Sequence, residues 1–272
     1  DLSAGRVVGL TACISASLLQ SVTYATKMFP DLPVMPIWLV ILIAIAVGGL
    51  VGWVNGFFVA KFSLHPFIVT LATQLIVYGC LLMYIMINGN NGQPLSGLDQ
   101  SFKDFVTGSH LSVAGVPIPN YVFYAIVVVI FMWFMWNKTT FGKNLYAVGG
   151  NPEAAAVSGI SVFAVTMGAF ILAGILYGFG SWLECNRMVG SGSAAYGQGW
   201  DMDAIAACVV GGVSFTGGIG KISGVVTGVL IFTSLTYSLT ILGIDTNLQF
   251  IFEGIIILAA VTLDCLKYVQ KK

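Results

Sequence analysis

The chain has 272 residues, of which 57% are hydrophobic and only 8% are charged. Because soluble domains carry roughly 25% charged residues, this composition excludes an ordinary soluble protein and predicts an integral membrane protein. The formal net charge is zero, which argues against a nucleic-acid partner bound through a basic face. The five cysteines have no Cys-x-x-Cys spacing, so the sequence predicts neither a zinc site nor a disulfide framework.

The apolar segments predict an all-α, polytopic membrane fold with about eight membrane helices or half-helices. Residues 203–213 are too short for a full crossing and are typical of a half-helix or a broken span. In chain order, the predicted segments are residues 2–19, 37–60, 66–87, 121–136, 161–183, 203–213, 221–242 and 248–261.

We expect residues 1–272 to form one transmembrane domain. The chain starts at Asp1 and not at Met, and it does not open with the basic and apolar regions of a signal peptide, so we expect further spans to precede it. Two polar connections interrupt the apolar pattern. Residues 88–120 contain several Gly and Pro residues and a predicted surface helix at 98–105, and residues 137–160 form the second connection.

Basic residues predict how the spans are oriented. When the C-terminal tail is placed in the cytoplasm, seven Lys residues fall inside and three basic residues fall outside, with Arg6 left aside. This distribution agrees with the positive-inside rule and predicts a cytoplasmic 137–160 loop and an 88–120 loop on the outer side of the membrane. The inside residues are Lys61, Lys138, Lys143, Lys221, Lys267, Lys271 and Lys272, and the outside residues are Lys27, Lys103 and Arg187.

Glycines repeat every four residues along the second apolar segment, at Gly48, Gly52 and Gly56. Small residues at this spacing let another helix approach closely within lipid, so we interpret them as a helix-packing face. A similar glycine-rich stretch at 223–228 again precedes a polar break and a further span. This weak similarity points to an internal repeat without establishing one.

The 137–160 connection contains signals for a short helix of its own. Asn151 is a favourable N-cap, Pro152 suits the first helical position, and Glu153 complements the positive end of the helix dipole. Alanines follow, and Gly159 can end the helix in a left-handed conformation. The sequence therefore predicts a short helix held outside the bilayer, with a face of small residues available for contact.

Uncharged polar side chains recur on two spans and suggest a path for an uncharged sugar or polyol. The alternative is hydrogen bonding between helices, which the membrane environment also favours. Glu253 lies several residues inside the last span, where a carboxylate is either functional or satisfied near the outer interface by neighbouring helices. The candidate path residues are Asn55, Thr70, Gln74, Tyr78, Thr227, Ser234, Tyr237, Ser238 and Glu253.

Two other sequence patterns, a glycine-rich stretch before a lysine and a pair of histidines, do not indicate a binding site. Gly217-Gly-Ile-Gly-Lys221 is not a phosphate-binding loop, because Phe215 stands where the first glycine belongs and Ile222 replaces the required Ser or Thr. His65 and His110 lie in different loops with no Cys or carboxylate at ligand spacing, so no metal site is predicted. The sequence contains no cluster of catalytic residue types, and we expect a protein that is not an enzyme.

Residues 142–160 resemble the cytoplasmic coupling loop of the membrane subunits of bacterial sugar-uptake ABC transporters, a family that includes ribose, xylose and galactose permeases. Similar motifs occur at 1–5, 66–71, 203–212 and Gly217-Gly218, so the resemblance covers essentially the whole chain. Asp201, followed by Met202, stands where the family usually has Glu. The stretches 136–139 and 263–268 are most similar to the galactose and methyl-galactoside permeases of the family.

The resemblance implies a ten-helix permease fold in the bacterial inner membrane and an ATP-driven, alternating-access import of galactose or a methyl galactoside. It also implies a second permease copy in a homodimer, a cytoplasmic ATPase subunit that holds ATP and Mg, and a periplasmic sugar-binding protein. The alternative is a stand-alone secondary transporter or facilitator. The implied coupling residues are Gly142, Lys143, Asn144, Tyr146, Gly149, Gly150, Asn151, Pro152, Glu153, Ala154 and Ala155.

Overall fold

A computed structural model describes residues 1–113, 115–187 and 192–269. These residues are mainly helical, and two short strands, β1 and β2, pair in an antiparallel hairpin. The elements are α1 (Ala4–Leu18), α2 (Ile37–Phe62), α3 (Pro66–Tyr84), a 3-10 turn (Ile87–Gly89), α4 (Gln100–Thr107), β1 (Ser109–Val113), β2 (Val116–Pro119), α5 (Asn120–Lys138), α6 (Thr140–Gly150), α7 (Pro152–Val157), α8 (Val162–Arg187), α9 (Trp200–Val210), α10 (Ile222–Ile241) and α11 (Thr246–Val269).

The helices confirm the predicted polytopic membrane fold. Among the described residues, 5 helices are long and apolar enough to cross a membrane, namely α2, α3, α5, α8 and α10. Helix α1 and residues Asn247–Ala259 of α11 are shorter apolar segments. Helix α9 has only 11 residues, which agrees with the predicted half-helix.

Several predicted boundaries were wrong. Helix α3 ends at Tyr84 and not at residue 87, because the chain leaves the α-helix at Ile85 and continues into the 3-10 turn, where Asn88 has a left-handed φ of 52°. The last helix runs to Val269, beyond the predicted end at 261. The predicted basic tail contained Lys267, which the helix includes, and Lys271 and Lys272, which lie outside the described residues. Helix α6 and the β1–β2 hairpin were not predicted, because the glycines of 140–150 and the glycine and prolines of 109–119 are typical of irregular structure.

The chain divides into two compact units: residues 1–127 with 166–201, and residues 128–165 with 202–272. In the first unit, α1 lies at the centre and contacts both α2 and α3. Its residues are small, and Ala12, Cys13 and Ala16 are completely buried. Hydroxyls on this buried helix are satisfied locally, since Thr11 donates to the Val7 carbonyl at 2.7 Å and Ser15 donates to the Thr11 carbonyl at 2.8 Å.

The predicted surface helix is present as α4, but one side of it is part of the core of the first unit. Phe102 and Val106 are fully buried. The Trp182 ring of α8 packs against the Phe102 ring, with ring centroids 6.1 Å apart. The amide of Asn186, one turn further along α8, donates to the Phe102 carbonyl at 2.9 Å. Aromatic packing and this buried hydrogen bond therefore fix the 88–120 connection to α8.

The Gly48–Gly56 face of α2 packs on α8, as its spacing predicts. A Cβ atom on Gly48 would lie well inside van der Waals distance of the Gly174 carbonyl oxygen, and one on Gly52 would meet the Phe170 carbonyl oxygen in the same way. The two backbones are therefore in direct contact. Lipid provides little hydrophobic driving force between helices, so this close packing is a main source of their association.

We predict that Gly48→Ala lowers the stability of the protein by roughly 1–3 kcal/mol, because the added methyl must separate two backbones that cannot repack. Thermal unfolding in detergent measures the effect. Gly79→Ala in α3 is the matched control, because a methyl there meets no described atom within 4 Å. Equal melting temperatures for the two variants would contradict the contact.

Candidate functional site

Helix α7 forms as the 137–160 sequence predicts. Asn151 has an extended backbone, and its side-chain oxygen accepts a hydrogen bond from the Ala154 N–H at 3.0 Å. Pro152 occupies the first turn, where it sacrifices no hydrogen bond. At the other end, Gly159 has φ 83°, and the Ile160 N–H donates to the Ala155 carbonyl at 3.0 Å. Both ends of this short helix are therefore capped.

Helix α6 precedes α7 and begins at the cap of Thr139, whose hydroxyl accepts from the Gly142 N–H at 3.2 Å. Gly142 is buried because its Cα lies against the carbonyl oxygens of Met135 and Trp136 at the end of α5. A side chain at this position would push α6 away from α5. The glycine is therefore required by the sharp turn between the two helices.

The far end of α6 meets the turn formed by residues 214–220, which connects α9 to α10. A Cβ atom on Gly149 would lie 2.7 Å from the Gly218 nitrogen, and one on Gly217 would lie 2.6 Å from the Gly149 carbonyl oxygen. The Tyr146 hydroxyl donates to the Gly220 carbonyl at 2.6 Å. Gly217 and Gly218 have φ values of 94° and 71°, a conformation that glycine adopts readily.

The implied coupling residues divide into an exposed group and an inward group. We call the exposed group, together with Val157, the α7 surface. Val157 is 91% exposed although it is apolar, whereas Ala155 beside it is buried. Gly142 is also buried, and Asn144, Tyr146 and Gly149 are half-buried. The members of the α7 surface are Lys143, Gly150, Asn151, Pro152, Glu153, Ala154 and Val157.

Four of the candidate path residues lie in the first unit, and two of them bind the start of α1. The Thr70 hydroxyl accepts from the Leu2 N–H at 3.0 Å, and the Asn55 amide donates to the Ser3 hydroxyl at 2.9 Å. Asn55 is 1% exposed, and its side-chain oxygen has no hydrogen-bond partner among the described residues. Both side chains therefore bind the residues that lead into α1, and their place in a sugar path stays a prediction.

The other two path candidates of the first unit have different surroundings. Tyr78 packs under the guanidinium of Arg6, with 4.1 Å between the guanidinium carbon and the ring centroid. Gln74 is half-buried on α3. Their place in a sugar path stays a prediction.

The remaining path candidates lie in the second unit. Thr227, Ser234 and Ser238 lie along one exposed side of α10, and Tyr237 beside them is 68% exposed. The Thr227 and Ser238 hydroxyls also donate to backbone carbonyls one turn back, at 2.9 and 2.6 Å. Glu253 is half-buried in α11. Thr227, Ser234, Tyr237 and Ser238 form a polar stripe on α10, and the place of this stripe and of Glu253 in a sugar path stays a prediction.

No group of three or more His, Cys, Asp or Glu residues that could hold a metal ion occurs in the part of the chain that the structure describes. His65 has a structural role, because its Nδ1 accepts from the Phe67 N–H at 3.3 Å and caps α3. Asp201 and Asp203 lie in the first turn of α9, where a carboxylate complements the helix dipole.

Comparison with known proteins identifies the family. Residues 1–261 match the family described as branched-chain amino acid transport system / permease component. The chain belongs to this permease family. The match covers most of the chain, and the apolar helices fit a multi-pass transport permease. No solved structure matches the chain.

Among its relatives in this permease family are sugar importers. The galactose/methyl galactoside import permease protein of Escherichia coli is 48% identical over 272 residues, which cover 100% of this chain and 80% of the relative. The protein of the same name from Salmonella typhimurium is 49% identical over the same shares. The ribose import permease protein of Bacillus subtilis is 35% identical over 97% of this chain and 76% of the relative. None of these matches supports a stand-alone secondary transporter.

Sequence reasoning missed the contact between α6 and the 214–220 turn. Its signal was present in Gly149-Gly150 and Gly217-Gly218, two glycine pairs in separate polar stretches. Each pair alone indicates only a flexible or tightly turned backbone, and nothing in the sequence indicates that the two pairs meet. The same is true of Ser3 and Asn55, which are far apart in sequence but hydrogen-bonded.

We predict that Asn151→Ala destabilises α7 by about 1 kcal/mol, because the Ala154 N–H loses its acceptor. Amide hydrogen exchange of residues 152–157 is then expected to be roughly fivefold faster at short labelling times. Asn151→Asp is the matched control, because a carboxylate accepts the same hydrogen bond. Unchanged exchange in the alanine variant would contradict the capping role.

Proposed function

We propose that the chain is the membrane-spanning subunit of an ATP-driven importer that carries galactose or a methyl galactoside into the cytoplasm. The observation that carries this proposal is the 48% identity to a galactose/methyl galactoside import permease over the whole chain. The ribose import permease is less similar, at 35% identity. The difference favours a galactoside over ribose as the substrate.

The family description names branched-chain amino acids, whereas the relatives named above import sugars. We give more weight to the relatives, because their identity extends along the whole chain and distinguishes among permeases within one family. The polar stripe supports the same choice. An amino acid carries two opposite charges, whereas Thr227, Ser234 and Ser238 offer neutral hydrogen bonds that suit sugar hydroxyls.

The chain's own role in this proposal is mechanical. A separate cytoplasmic ATPase subunit binds ATP and Mg and contacts the α7 surface. Support comes from the shape of that surface, since a capped helix with small side chains can enter a groove, and Val157 is an exposed apolar contact point. The permease supplies no chemistry, and its contacts with partners differ between two states.

In the proposed assembly, two copies of this chain form a homodimer within the bilayer, and a periplasmic sugar-binding protein delivers the substrate. Residues 137–160 then face the cytoplasm, residues 88–120 face the periplasm, and the C-terminus is cytoplasmic. The distribution of basic residues supports this orientation. The whole chain acts as one permease domain in which the inward-facing and outward-facing states alternate around a central sugar path.

The proposal is tested by purifying the tagged chain from native membranes. An ATPase subunit is expected to copurify, and ATP hydrolysis is expected to rise when the sugar-binding protein and galactose are added. Ribose and leucine serve as comparison substrates. Stimulation by leucine alone would favour an amino-acid importer, and proton- or sodium-driven galactose uptake by the chain alone would contradict dependence on ATP.

We predict that Glu153→Lys, or a bulky substitution such as Gly150→Trp, uncouples ATP hydrolysis from transport while the subunits still assemble. Both changes alter the α7 surface without entering the interior of the unit, because both residues are exposed. Uptake in proteoliposomes and ATP hydrolysis are measured in the same preparation. Glu153→Asp, which keeps the charge, is expected to preserve coupling. Normal transport in the Lys and Trp variants would contradict the coupling role.

A further inference from the structure

We infer that the contact between α6 and the 214–220 turn transmits movement of the α7 surface to α10, with Tyr146 as a positioning residue in that contact. The inference rests on the proposed function, because it needs an ATPase that moves the α7 surface. It assigns to Tyr146 and Gly149 an internal role that differs from partner docking. Every contact in the argument lies within the second unit.

The first step is the fit between α6 and the turn. Gly149 and Gly218 approach through their backbones, and a Cβ atom on Gly218 would lie 2.7 Å from the Cα of Gly150. Backbone atoms cannot change rotamer to absorb a displacement, as long side chains can. A shift of the α6 end toward the turn must therefore move the turn, and the Tyr146–Gly220 hydrogen bond also opposes their separation.

The second step is that the turn moves as one piece. Its two ends are joined, since the Ser214 N–H donates to the Ile219 carbonyl at 2.9 Å. The hydroxyls of Ser214 and Thr216 form a further hydrogen bond of 2.9 Å within the turn. A cavity of about 530 Å³ borders the turn and is lined in part by Trp133, Asn137 and Tyr146. The turn therefore has internal connections and adjacent space into which it can move.

The third step connects the turn to the polar stripe. Helices α9 and α10, on either side of the turn, touch through their backbones at Gly211 and Gly224. A Cβ atom on Gly228 would also collide with the Ala207 carbonyl oxygen of α9. The two helices cannot slide past each other without separating, so we treat them as a rigid pair. Movement of the turn thus reaches Thr227 and the rest of the α10 stripe.

Gly149→Ala tests the transmission. Alanine raises the helix propensity of α6, but its methyl would force α6 and the turn apart. We expect sugar uptake per ATP hydrolysed to fall roughly tenfold in proteoliposomes that contain the chain, its ATPase and the sugar-binding protein. Gly180→Ala in α8 is the control, because its methyl meets no described atom within 4 Å. The control is expected to couple like the unsubstituted protein.

Tyr146→Phe is the milder second variant, because it removes only the hydroxyl that binds Gly220. We expect uptake per ATP to fall roughly three- to tenfold, with unchanged subunit assembly and an unchanged thermal midpoint. A purely structural role would lower the midpoint and leave the uptake-to-ATP ratio intact. A lowered midpoint with an unchanged uptake-to-ATP ratio in Tyr146→Phe would overturn the inference while the proposed function stands. Unchanged uptake-to-ATP ratios in both Gly149→Ala and Tyr146→Phe would do the same. A lack of ATP-driven uptake in the unsubstituted complex would instead overturn the proposed function and the inference with it.

Discussion

Direct contact between backbones at glycine is the interaction on which this structure most depends. Helices in a bilayer gain little by hiding apolar side chains from lipid, so their association relies on close packing and on hydrogen bonds. In the first unit, Gly48 and Gly174 bring α2 and α8 together. In the second unit, Gly211 and Gly224 do the same for α9 and α10. The two units therefore use the same means of packing.

The same contact also gives the candidate coupling site its geometry. Gly149 meets Gly218 at the end of α6, while α7 continues into solvent with both of its ends capped. One segment of chain therefore has an exposed face for a partner and an inward end fixed to another part of the unit. A flexible loop could present an exposed face to a partner. It could not transmit a displacement to the rest of the unit, because the loop itself would absorb that displacement.

The membrane spans and α7 could be predicted from sequence because their signals are local. A long apolar run, or Asn151 followed by Pro152, needs no distant partner to be interpreted. Helix α6 was missed because Gly142, Gly149 and Gly150 lower helix propensity, and tertiary contacts outweigh that cost. Helix α4 was predicted, but the aromatic packing that buries Phe102 against Trp182 was not, because it joins residues 80 positions apart in sequence.

The candidate site was predicted as a stretch of residues, and the structure distinguishes exposed residues from inward-facing ones within it. Glu153 and Val157 face outward, whereas Tyr146 binds the 214–220 turn. Among the path candidates, Asn55 and Thr70 bind the first residues of the chain, a role that polarity alone does not distinguish from sugar binding. Periodicity indicates which residues share a helix face, but not what lies opposite that face.

The account depends most directly on the α7 surface facing the cytoplasm and contacting an ATPase. Val157→Cys, in a chain whose Cys80, Cys208 and Cys265 are replaced by Ser, can be labelled with a membrane-impermeant maleimide because Val157 is 91% exposed. The remaining native thiols, Cys13 and Cys185, are buried. We predict labelling in inside-out vesicles, no labelling in intact spheroplasts, and protection when the ATPase subunit is bound. Labelling of Val157→Cys from the outside of intact spheroplasts would contradict the central claim.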